Sequence, residues 1–327
     1  MTTSTHAVRV HQTGGPEVLR WEKVELPAPA AGEVRLRHTA VGLNFLDTYH
    51  RSGLYPVALP AVLGSEAAGV VEALGEGVTT VREGDRVAYA SAPIGAYAEA
   101  RNVPAAFLVK LPDFIDAATA AAAMLKGMTA QYLCRRTYPV QKGDHILVHA
   151  AAGGVGLILC QWAKALGATV IGTVGSEEKA KLAYAHGCDH VLFYRTEDVA
   201  LRVREITGGA RVPVVYDSVG KDTFLTSLDC LRPRGLMVTF GNSSGPVGPV
   251  DPRLLATKGS LFLTRPALHD YVRERAELEA TAKDLFDVIA SKAVQIRVAQ
   301  TYPLCDAERA HRDLEGRKTT GSTVLLP

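Results

Sequence analysis

Cysteine is scarce in this chain, and the few that occur are far apart. No two of them form a C-x-x-C pair, and all five lie in the second half of the chain or shortly before it: Cys134, Cys160, Cys188, Cys230 and Cys305. A disulfide framework usually has an even number of cysteines at regular spacings, and a structural zinc site needs clustered thiolates. The sequence therefore predicts reduced cysteines and no cysteine-built metal site.

Long apolar runs and a surplus of one charge are also missing. No stretch approaches the roughly 18 apolar residues that a membrane span requires, and the first residues lack the basic and apolar regions of a signal peptide. Lys and Arg number 36 against 34 for Asp and Glu, a formal net charge of +2. This balance favours neither a nucleic-acid nor a membrane surface. We expect a soluble, cytoplasmic protein without those partners.

The length of 327 residues exceeds what one hydrophobic core usually serves and predicts two domains. Up to about residue 124, short alternating segments such as Glu33–Val41 are separated by Gly and Pro, which indicates a mostly antiparallel β domain. From His145 onward, apolar strands alternate with helices of about ten residues, which predicts an α/β fold with a doubly wound parallel sheet. After about residue 267, a helix and short strands are expected to return to the first domain. The predicted domains are therefore 1–124 with 267–327, and 125–266.

The segment His145–Gly156 combines a strand, a Gly-rich turn and the start of an apolar-periodic helix. It departs from the G-x-G-x-x-G pattern because Ala151 stands first, before Gly153 and Gly156. The strand before it and the helix after it are the context in which such a turn binds a dinucleotide pyrophosphate through backbone N–H groups. A purely structural βα turn is the alternative.

The end of the next strand predicts which dinucleotide binds. NAD sites usually carry an acidic residue about 20 positions past the glycines, to bind the ribose 2′-hydroxyl. Gly175 and Ser176 stand there instead, and Lys179 follows one helical turn later. Without a carboxylate to repel it, a 2′-phosphate could bind the Ser176 hydroxyl and the Lys179 ammonium, which favours NADPH. Glu177 and Glu178 weaken this inference, and Lys179 could be an ordinary solvated lysine.

Ordered motifs along nearly the whole chain resemble the zinc-independent quinone oxidoreductases of the medium-chain dehydrogenase/reductase superfamily, the group that includes zeta-crystallin, and look closest to its bacterial quinone reductases. They are Gly14–Leu19, Gly42–Tyr49, Arg51–Pro56, Gly64–Gly69, Gly84–Val87, Leu125–Thr129, His149–Gly156, Tyr216–Gly220 and Phe240–Gly245. The resemblance implies a GroES-like catalytic domain beside the Rossmann domain. It also implies a homodimer, formed through the edge strand near Ser260–Thr264.

The same comparison argues against zinc. Zinc-dependent relatives carry a catalytic His in a Gly-His-Glu motif, where this chain reads Gly64-Ser65-Glu66, and they bring a Cys ligand from the early region, where this chain has none. Without these ligands, no alcohol can be held on a Lewis-acid metal. What remains is hydride donation from NADPH to a quinone or a conjugated enone.

The resemblance also implies the residues around the cofactor and the acceptor. Near the nicotinamide it places Asn44 and Asp47 with Tyr49 and Tyr55, faced by Thr129 and Tyr132. Asn44, Tyr49 or Tyr55 would hydrogen-bond the acceptor carbonyl. The remaining cofactor positions, from pyrophosphate to nicotinamide ribose, are Gly153, Gly154, Val155, Gly175, Ser176, Lys179, Tyr194, Ser218, Phe240, Gly241, Asn242, Ser243, Arg265 and Arg317.

Ordinary structural roles compete for several of these residues. Tyr49 and Tyr55 could be half-buried aromatics, Asn44 a turn residue, and Arg317 part of a solvated basic stretch. Two other functions also remain open. One is a zinc-free alkenal or enone double-bond reductase, and the other is a nucleotide-binding sensor or RNA-binding protein without turnover. The acceptor and any general acid are not determined by the sequence.

Overall fold

The computed structural model describes residues 3–91 and 93–327, which form two compact units. Unit 1 comprises the chain up to Met128 together with Val272–Phe286 and Ile296–Pro327. Unit 2 comprises Thr129–Tyr271 and Asp287–Gln295. The sequence predicts boundaries at 124/125 and 266/267. In the structure, unit 1 extends to Met128, and unit 2 includes the chain as far as Tyr271 together with Asp287–Gln295, which was predicted to lie in the first domain.

Unit 1 is built mainly from ten strands. They are β1 (Thr3–Val10), β2 (Arg20–Leu26), β3 (Glu33–Leu43), β4 (Ala61–Val62), β5 (Glu66–Leu74), β6 (Arg86–Ala90), β7 (Ala100–Pro104), β8 (Val109–Lys110), β15 (Val298–Pro303) and β16 (Ser322–Leu326). Its helices are α1 (Phe45–Ser52), α10 (Ala307–Glu315), most of α2 (Ala117–Tyr132) and most of α9 (Arg275–Ala290). Single 3₁₀ turns are found at Pro16–Val18, Ala105–Phe107 and Leu304–Asp306.

The larger sheet of unit 1 has the order β15-β16-β3-β5-β6-β8, with β7 also paired to β3. All of these pairings are antiparallel except the parallel one between β15 and β16. Because β16 pairs with β3, the C-terminal segment returns to the first domain as predicted. A smaller antiparallel sheet, β2-β1-β4, packs its apolar residues into the same core. The predicted mostly antiparallel β domain is confirmed.

Unit 2 alternates strands and helices, as the sequence predicts. The strands are β9 (His145–Val148), β10 (Thr169–Val174), β11 (His190–Phe193), β12 (Val212–Asp217), β13 (Leu231–Thr239) and β14 (Phe262–Thr264). The helices are α3 (Gly154–Ala165), α4 (Glu177–Ala185), α5 (Val199–Ile206), α6 (Phe224–Cys230), α7 (Pro252–Thr257) and α8 (Leu268–Tyr271), with a π-helical segment at Leu133–Thr137.

The sheet of unit 2 is parallel throughout and has the order β11-β10-β9-β12-β13-β14. The order reverses between β9 and β12, so the carboxyl ends of these two strands form a topological switch point, where ligands bind in such sheets. The predicted Rossmann fold is therefore confirmed. None of the helices in the described part of the chain has the length and apolar character needed to cross a membrane.

Candidate active site

The Gly-rich turn lies at the switch point, between β9 and α3. Ala150 adopts a left-handed conformation with φ of 53°, which turns the chain sharply after the strand. A Cβ atom on Gly156 would lie 2.3 Å from the Ala150 carbonyl oxygen, so only glycine fits there. Ala151, which occupies the first position of the pattern in place of a glycine, fits because Gly172 on β10 has no side chain. A Cβ atom on Gly172 would lie 2.7 Å from the Ala151 methyl group. The two glycines thus allow the close packing that the turn requires.

The first turn of α3 provides the donors that a pyrophosphate needs. The helix begins at Gly154, so the N–H groups of Gly154, Val155 and Gly156 have no acceptor within the helix. The residue before the helix, Gly153, has no side chain that could cap these N–H groups. These N–H groups, at the positive end of the helix dipole, fit the phosphates of a dinucleotide.

The residues predicted to bind the 2′-phosphate lie together at the end of β10. Ser176 caps α4, where its hydroxyl oxygen accepts a hydrogen bond of 3.4 Å from the Lys179 N–H, which leaves the hydroxyl hydrogen able to reach an anion. A Cβ atom on Gly175 would lie 3.0 Å from the Tyr194 hydroxyl, so the glycine makes room for that ring. Sequence reasoning missed Arg195, whose guanidinium lies 5.8 Å from the centre of the Tyr194 ring. Its position directly after Tyr194 was the available signal.

A buried network that sequence reasoning also missed joins the carboxyl ends of three strands. His149, just past β9, contacts the Thr173 hydroxyl on β10 through Nδ1 at 2.9 Å and Ser227 through Nε2 at 3.0 Å. The Ser227 hydroxyl donates to Asp217 Oδ2 on β12 at 3.0 Å. Asp217 Oδ1 also accepts from the backbone N–H of Val219, so it caps the end of the strand. Burial lowers the pKa of His149, which keeps the imidazole neutral. The network fixes the strand ends beside the Gly-rich turn.

The loop after β13 lies against the end of β12. Ser243 N–H donates to the Ser218 carbonyl at 3.3 Å, and a Cβ atom on Gly241 would lie 2.3 Å from the same oxygen. Arg265 donates to the Gly241 carbonyl at 3.0 Å. The structure therefore brings together the predicted cluster of Ser218, Arg265 and the loop residues Phe240, Gly241, Asn242 and Ser243.

Tyr132 belongs to an aromatic pair in unit 2. Its ring stacks on Tyr271 with a centroid distance of 4.4 Å, and the Tyr271 hydroxyl is 2.8 Å from the Thr137 hydroxyl. Burial raises the pKa of Tyr132, and a hydrogen bond with the Thr129 side chain opposes that shift. Thr129 and Tyr132, both predicted to face the cofactor, are thus in contact with each other, while Tyr271 was not anticipated because it lies 139 positions further along the chain.

In unit 1, Asn44 precedes α1 and is held by a buried ion pair. Its side-chain amide donates to Glu66 Oε2 at 2.9 Å, and the Lys126 ammonium donates to the same oxygen at 2.9 Å. Glu66 Oε1 accepts from the Leu125 N–H at 2.7 Å, so the carboxylate has three donors. A Cβ atom on Gly42 would lie 2.2 Å from Glu66 Oε2, which explains the glycine in the Gly42–Tyr49 motif. Glu66 and Lys126 orient the Asn44 amide.

Tyr49 and Tyr55 form an edge-to-face pair with a centroid distance of 5.3 Å, and the Tyr55 N–H donates to the Tyr49 carbonyl at 3.0 Å. His50 lies 6.0 Å from the Tyr55 ring and lines a cavity of about 480 Å³ with Val57 and Ile94, among other apolar residues. The two predicted tyrosines therefore contact each other, and Tyr55 contacts His50, which lines the mostly apolar cavity.

Arg317 follows α10, is exposed, and has a φ of 58°.

Asp47, on α1, is entirely buried, and Ser65 donates to its Oδ1 at 3.2 Å. Burial raises the pKa of Asp47 to about 7, although hydrogen bonds from the Asn44 N–H and the Tyr97 hydroxyl oppose the shift. Within the described ranges, no three His, Cys, Asp or Glu side chains come together as a metal site would require. The prediction of a reaction without a metal rests on Ser65, which stands where zinc-dependent relatives carry a histidine ligand, and on the lack of a cysteine before Cys134.

Family models match both units. The model described as the alcohol dehydrogenase GroES-like domain matches residues 30–113, and the model described as zinc-binding dehydrogenase matches residues 154–277. They correspond to the predicted catalytic and nucleotide-binding domains. The second name refers to zinc, although this chain has Ser65 where zinc-dependent members have histidine.

Proteins of known activity are similar over almost the whole chain. A quinone oxidoreductase of Pseudomonas aeruginosa is 56% identical over 315 residues, which cover 96% of this chain and 97% of that protein. A 2-haloacrylate reductase of a Burkholderia species is 50% identical and covers 98% of each chain. The crystal structure of Escherichia coli quinone oxidoreductase complexed with NADPH superposes with a TM-score of 0.97 at 51% identity, covering 98% of this chain and 100% of that one. The chain belongs to the quinone oxidoreductases of the medium-chain dehydrogenase/reductase superfamily.

Proposed function

We propose that this protein catalyses the NADPH-dependent reduction of quinones without a metal. The observation that carries this proposal is the switch point of unit 2. There, the first N–H groups of α3 have no acceptor within the helix, and Gly175 and Ser176 rather than a carboxylate follow the next strand, β10. This arrangement suits a phosphorylated dinucleotide. The E. coli relative that superposes on the chain was crystallised with NADPH.

The chain offers a separate group for each part of the cofactor. The N–H groups of Gly154 and Val155 would hold the pyrophosphate. The Ser176 hydroxyl, the ammonium of Lys179 and Tyr194 would surround the 2′-phosphate, with Arg195 as an additional cation. Bound NADPH supplies the hydride.

The remaining predicted positions would serve the nicotinamide half of the cofactor. Tyr132 is held in place by the Tyr271 ring and contacts Thr129, and Arg265 fixes the loop after β13 through the Gly241 carbonyl. Asn44, Asp47 and Arg317 are the predicted cofactor residues of unit 1.

Asn44, Tyr49 and Tyr55 are the groups of unit 1 that could bind the acceptor. The Asn44 amide is oriented by Glu66, so it loses little side-chain freedom when an acceptor carbonyl binds. The tyrosine rings support each other edge to face and present apolar surface suited to a planar quinone. A hydrogen bond to the carbonyl oxygen stabilises the negative charge that develops there.

Steady-state kinetics with NADPH distinguishes this proposal from its nearest rival, a double-bond reductase for enones. The similarity to a 2-haloacrylate reductase gives that rival specific support. We expect kcat/KM to be higher for a naphthoquinone than for an unsaturated aldehyde or a 2-haloacrylate. Turnover of the aldehyde or the haloacrylate without quinone turnover would replace quinone reduction by the rival. Binding of NADPH without turnover of any acceptor would favour a nucleotide sensor.

The partners and compartment are also part of the proposal. We infer a cytoplasmic homodimer that pairs through β14. This edge strand is bonded to β13 on one side, and its Phe262 side chain is 61% exposed. Analytical ultracentrifugation should give twice the mass of 34.9 kDa, and a monomer would exclude the pairing. No nucleic-acid or membrane partner is proposed, and a titration with RNA should show no binding.

A further inference from the structure

A continuous hydrogen-bond chain crosses the interior of unit 1 from the candidate site to the surface. It runs from Ser65 to Asp47 at 3.2 Å, from Asp47 to the Tyr97 hydroxyl at 3.0 Å, and from that hydroxyl to His311 Nε2 at 3.0 Å. Arg51 then contacts His311 Nδ1 at 3.0 Å and binds the Glu315 carboxylate at 2.8 and 2.9 Å. We call these six residues the Asp47 chain.

Two helices hold the Asp47 chain in register. Asp47 and Arg51 are four residues apart on α1, and His311 and Glu315 are four residues apart on α10. Residues at this spacing share one face of a helix, so each helix presents a matched pair. Tyr97, fully buried between them, links the two pairs.

The direction of every proton in the Asp47 chain follows from Arg51. A guanidinium only donates, so His311 Nδ1 must accept, and the hydrogen of the neutral imidazole must be on Nε2. Burial and the neighbouring Arg51 charge lower the pKa of His311 to about 3, which keeps it neutral. Because Nε2 donates to the Tyr97 oxygen, the Tyr97 hydroxyl must in turn donate to Asp47 Oδ2. The Asn44 N–H also donates to this oxygen, at 2.9 Å.

Asp47 Oδ2 is therefore committed to accepting, and Oδ1 is the oxygen that can carry a proton. Its partner there is Ser65, for which the described part of the chain provides no other hydrogen-bond partner. A proton on Oδ1 would be donated to the Ser65 oxygen and would release the Ser65 hydrogen to another acceptor. Ser65 immediately precedes Glu66, which holds the Asn44 amide. The free end of the Asp47 chain thus lies beside a predicted acceptor residue.

The charges around Asp47 leave its proton exchangeable near neutral pH. The cation of α2, Lys126, is neutralised by Glu66 on β5 at 2.9 Å, and the cation of α1, Arg51, is neutralised by Glu315 on α10. The Lys126 charge opposes the effect of burial but is itself paired with Glu66, so burial dominates and raises the pKa of Asp47 to about 7.

We propose that Asp47 supplies the proton of the reduction through the Ser65 hydroxyl, and that Arg51, His311 and Tyr97 are positioning residues that confine this proton to Oδ1. The proposal rests on the proposed function, because it concerns the acceptor of that reaction. It adds a proton donor and fixes the atom that carries the proton.

The proton step balances the reduction. Converting a quinone to a hydroquinone takes two electrons, which arrive with one hydrogen as hydride, and one further proton. The Ser65 O–H bond breaks as an O–H bond forms on the product oxygen. Ser65 regains a hydrogen from Asp47 Oδ1, and Asp47, left as a carboxylate, regains its proton through the Ser65 hydroxyl from water that replaces the departed product.

The test compares the pH dependence of kcat for naphthoquinone reduction in the wild type, Asp47→Asn and Tyr97→Phe. In the wild type, kcat should fall as the pH rises through about 7, because the acid form is the active one. Asp47→Asn should lower kcat about 10²-fold and abolish this limb. Tyr97→Phe removes a donor to the ionised carboxylate and should move the limb upward by about one pH unit.

Tyr89→Phe is the matched control. Tyr89 is also a fully buried tyrosine of unit 1 whose hydroxyl contacts a buried histidine, His38, at 3.1 Å, but it does not reach Asp47. In Tyr89→Phe, kcat should fall at the same pH as in the wild type. Infrared titration of the carboxyl C=O band, measured on the protein without cofactor or acceptor, should give a midpoint of about 7 for the wild type and one about one pH unit higher for Tyr97→Phe, in agreement with the pH dependence of kcat.

Three results would overturn the proposal. The first is a fall of kcat near pH 7 that persists in Asp47→Asn, and the second is an equal shift of that pH in Tyr97→Phe and Tyr89→Phe. The third is an infrared spectrum in which no carboxyl group titrates near neutral pH. Failure of the proposed function would be recognised separately. In that case the wild type would not reduce quinones at any pH, while the infrared titration of Asp47 would still occur.

Discussion

Replacing Glu66 by Gln should destabilise unit 1 by about 3–5 kcal/mol, because it leaves the Lys126 ammonium buried without its counter-charge. The side chains of Glu66 and Lys126 are 0% and 7% exposed, so water cannot take over the lost interaction. Lys126→Met should cost less, about 3 kcal/mol, since the Glu66 carboxylate keeps the Asn44 and Leu125 donors. The double variant removes both charges and should lose less than the sum of the single losses, by about 2 kcal/mol or more.

Urea unfolding measures these differences. The chain has two tryptophans, Trp21 in unit 1 and Trp162 in unit 2. In a Trp162→Phe background, the fluorescence of Trp21 therefore reports on unit 1 alone. A loss of 3 kcal/mol corresponds to a midpoint shift of roughly 1–3 M urea.

Glu308→Gln provides the control for this experiment. Glu308 pairs with Arg312 at 2.8 Å, but both side chains are about half exposed, so the loss should stay below about 1 kcal/mol. If the double variant loses as much free energy of unfolding as Glu66→Gln and Lys126→Met together, the reasoning is refuted, because additive losses mean that the two charges do not interact. A loss in Glu66→Gln no larger than in Glu308→Gln would do the same.

Two further predictions concern unit 2. Lys179→Ala should weaken NADPH binding about tenfold and leave NADH binding unchanged, because the partner that Lys179 loses is the 2′-phosphate. A fluorescence titration measures both affinities, with Lys181→Ala, an exposed lysine of the same helix, as the control. Equal losses of affinity for the two cofactors in Lys179→Ala would contradict the assignment. Ser227→Ala should lower the free energy of unfolding by about 1–3 kcal/mol, because it leaves the buried Nε2–H of His149 without its acceptor. Calorimetry against the exposed-site variant Ser291→Ala would test this, and equal losses would show that the network contributes no stability.

Much of the fold follows from local patterns. Strand–helix alternation after His145 predicted a parallel sheet, because residues close in sequence decide each element and short connections decide the topology. The Gly-rich turn was predictable for the same reason, since strand, turn and helix lie within a dozen residues. Local patterns do not show how Ala151 is tolerated as the first turn residue. The tertiary structure gives the answer, because Gly172 on the neighbouring strand makes room for its methyl group.

The sequence by itself determined the fold class, the cofactor turn and the absence of the expected zinc ligands at Ser65, because each depends on residue types at short spacing. Only the tertiary structure decided which polar groups are paired in the interior. Asp47 and His311 are 264 positions apart, yet Tyr97 joins them, and Glu66 is held by Lys126 from a different element. Protonation states depend on burial and on such distant partners, so no periodicity could reveal that the Asp47 carboxyl holds its proton near neutral pH.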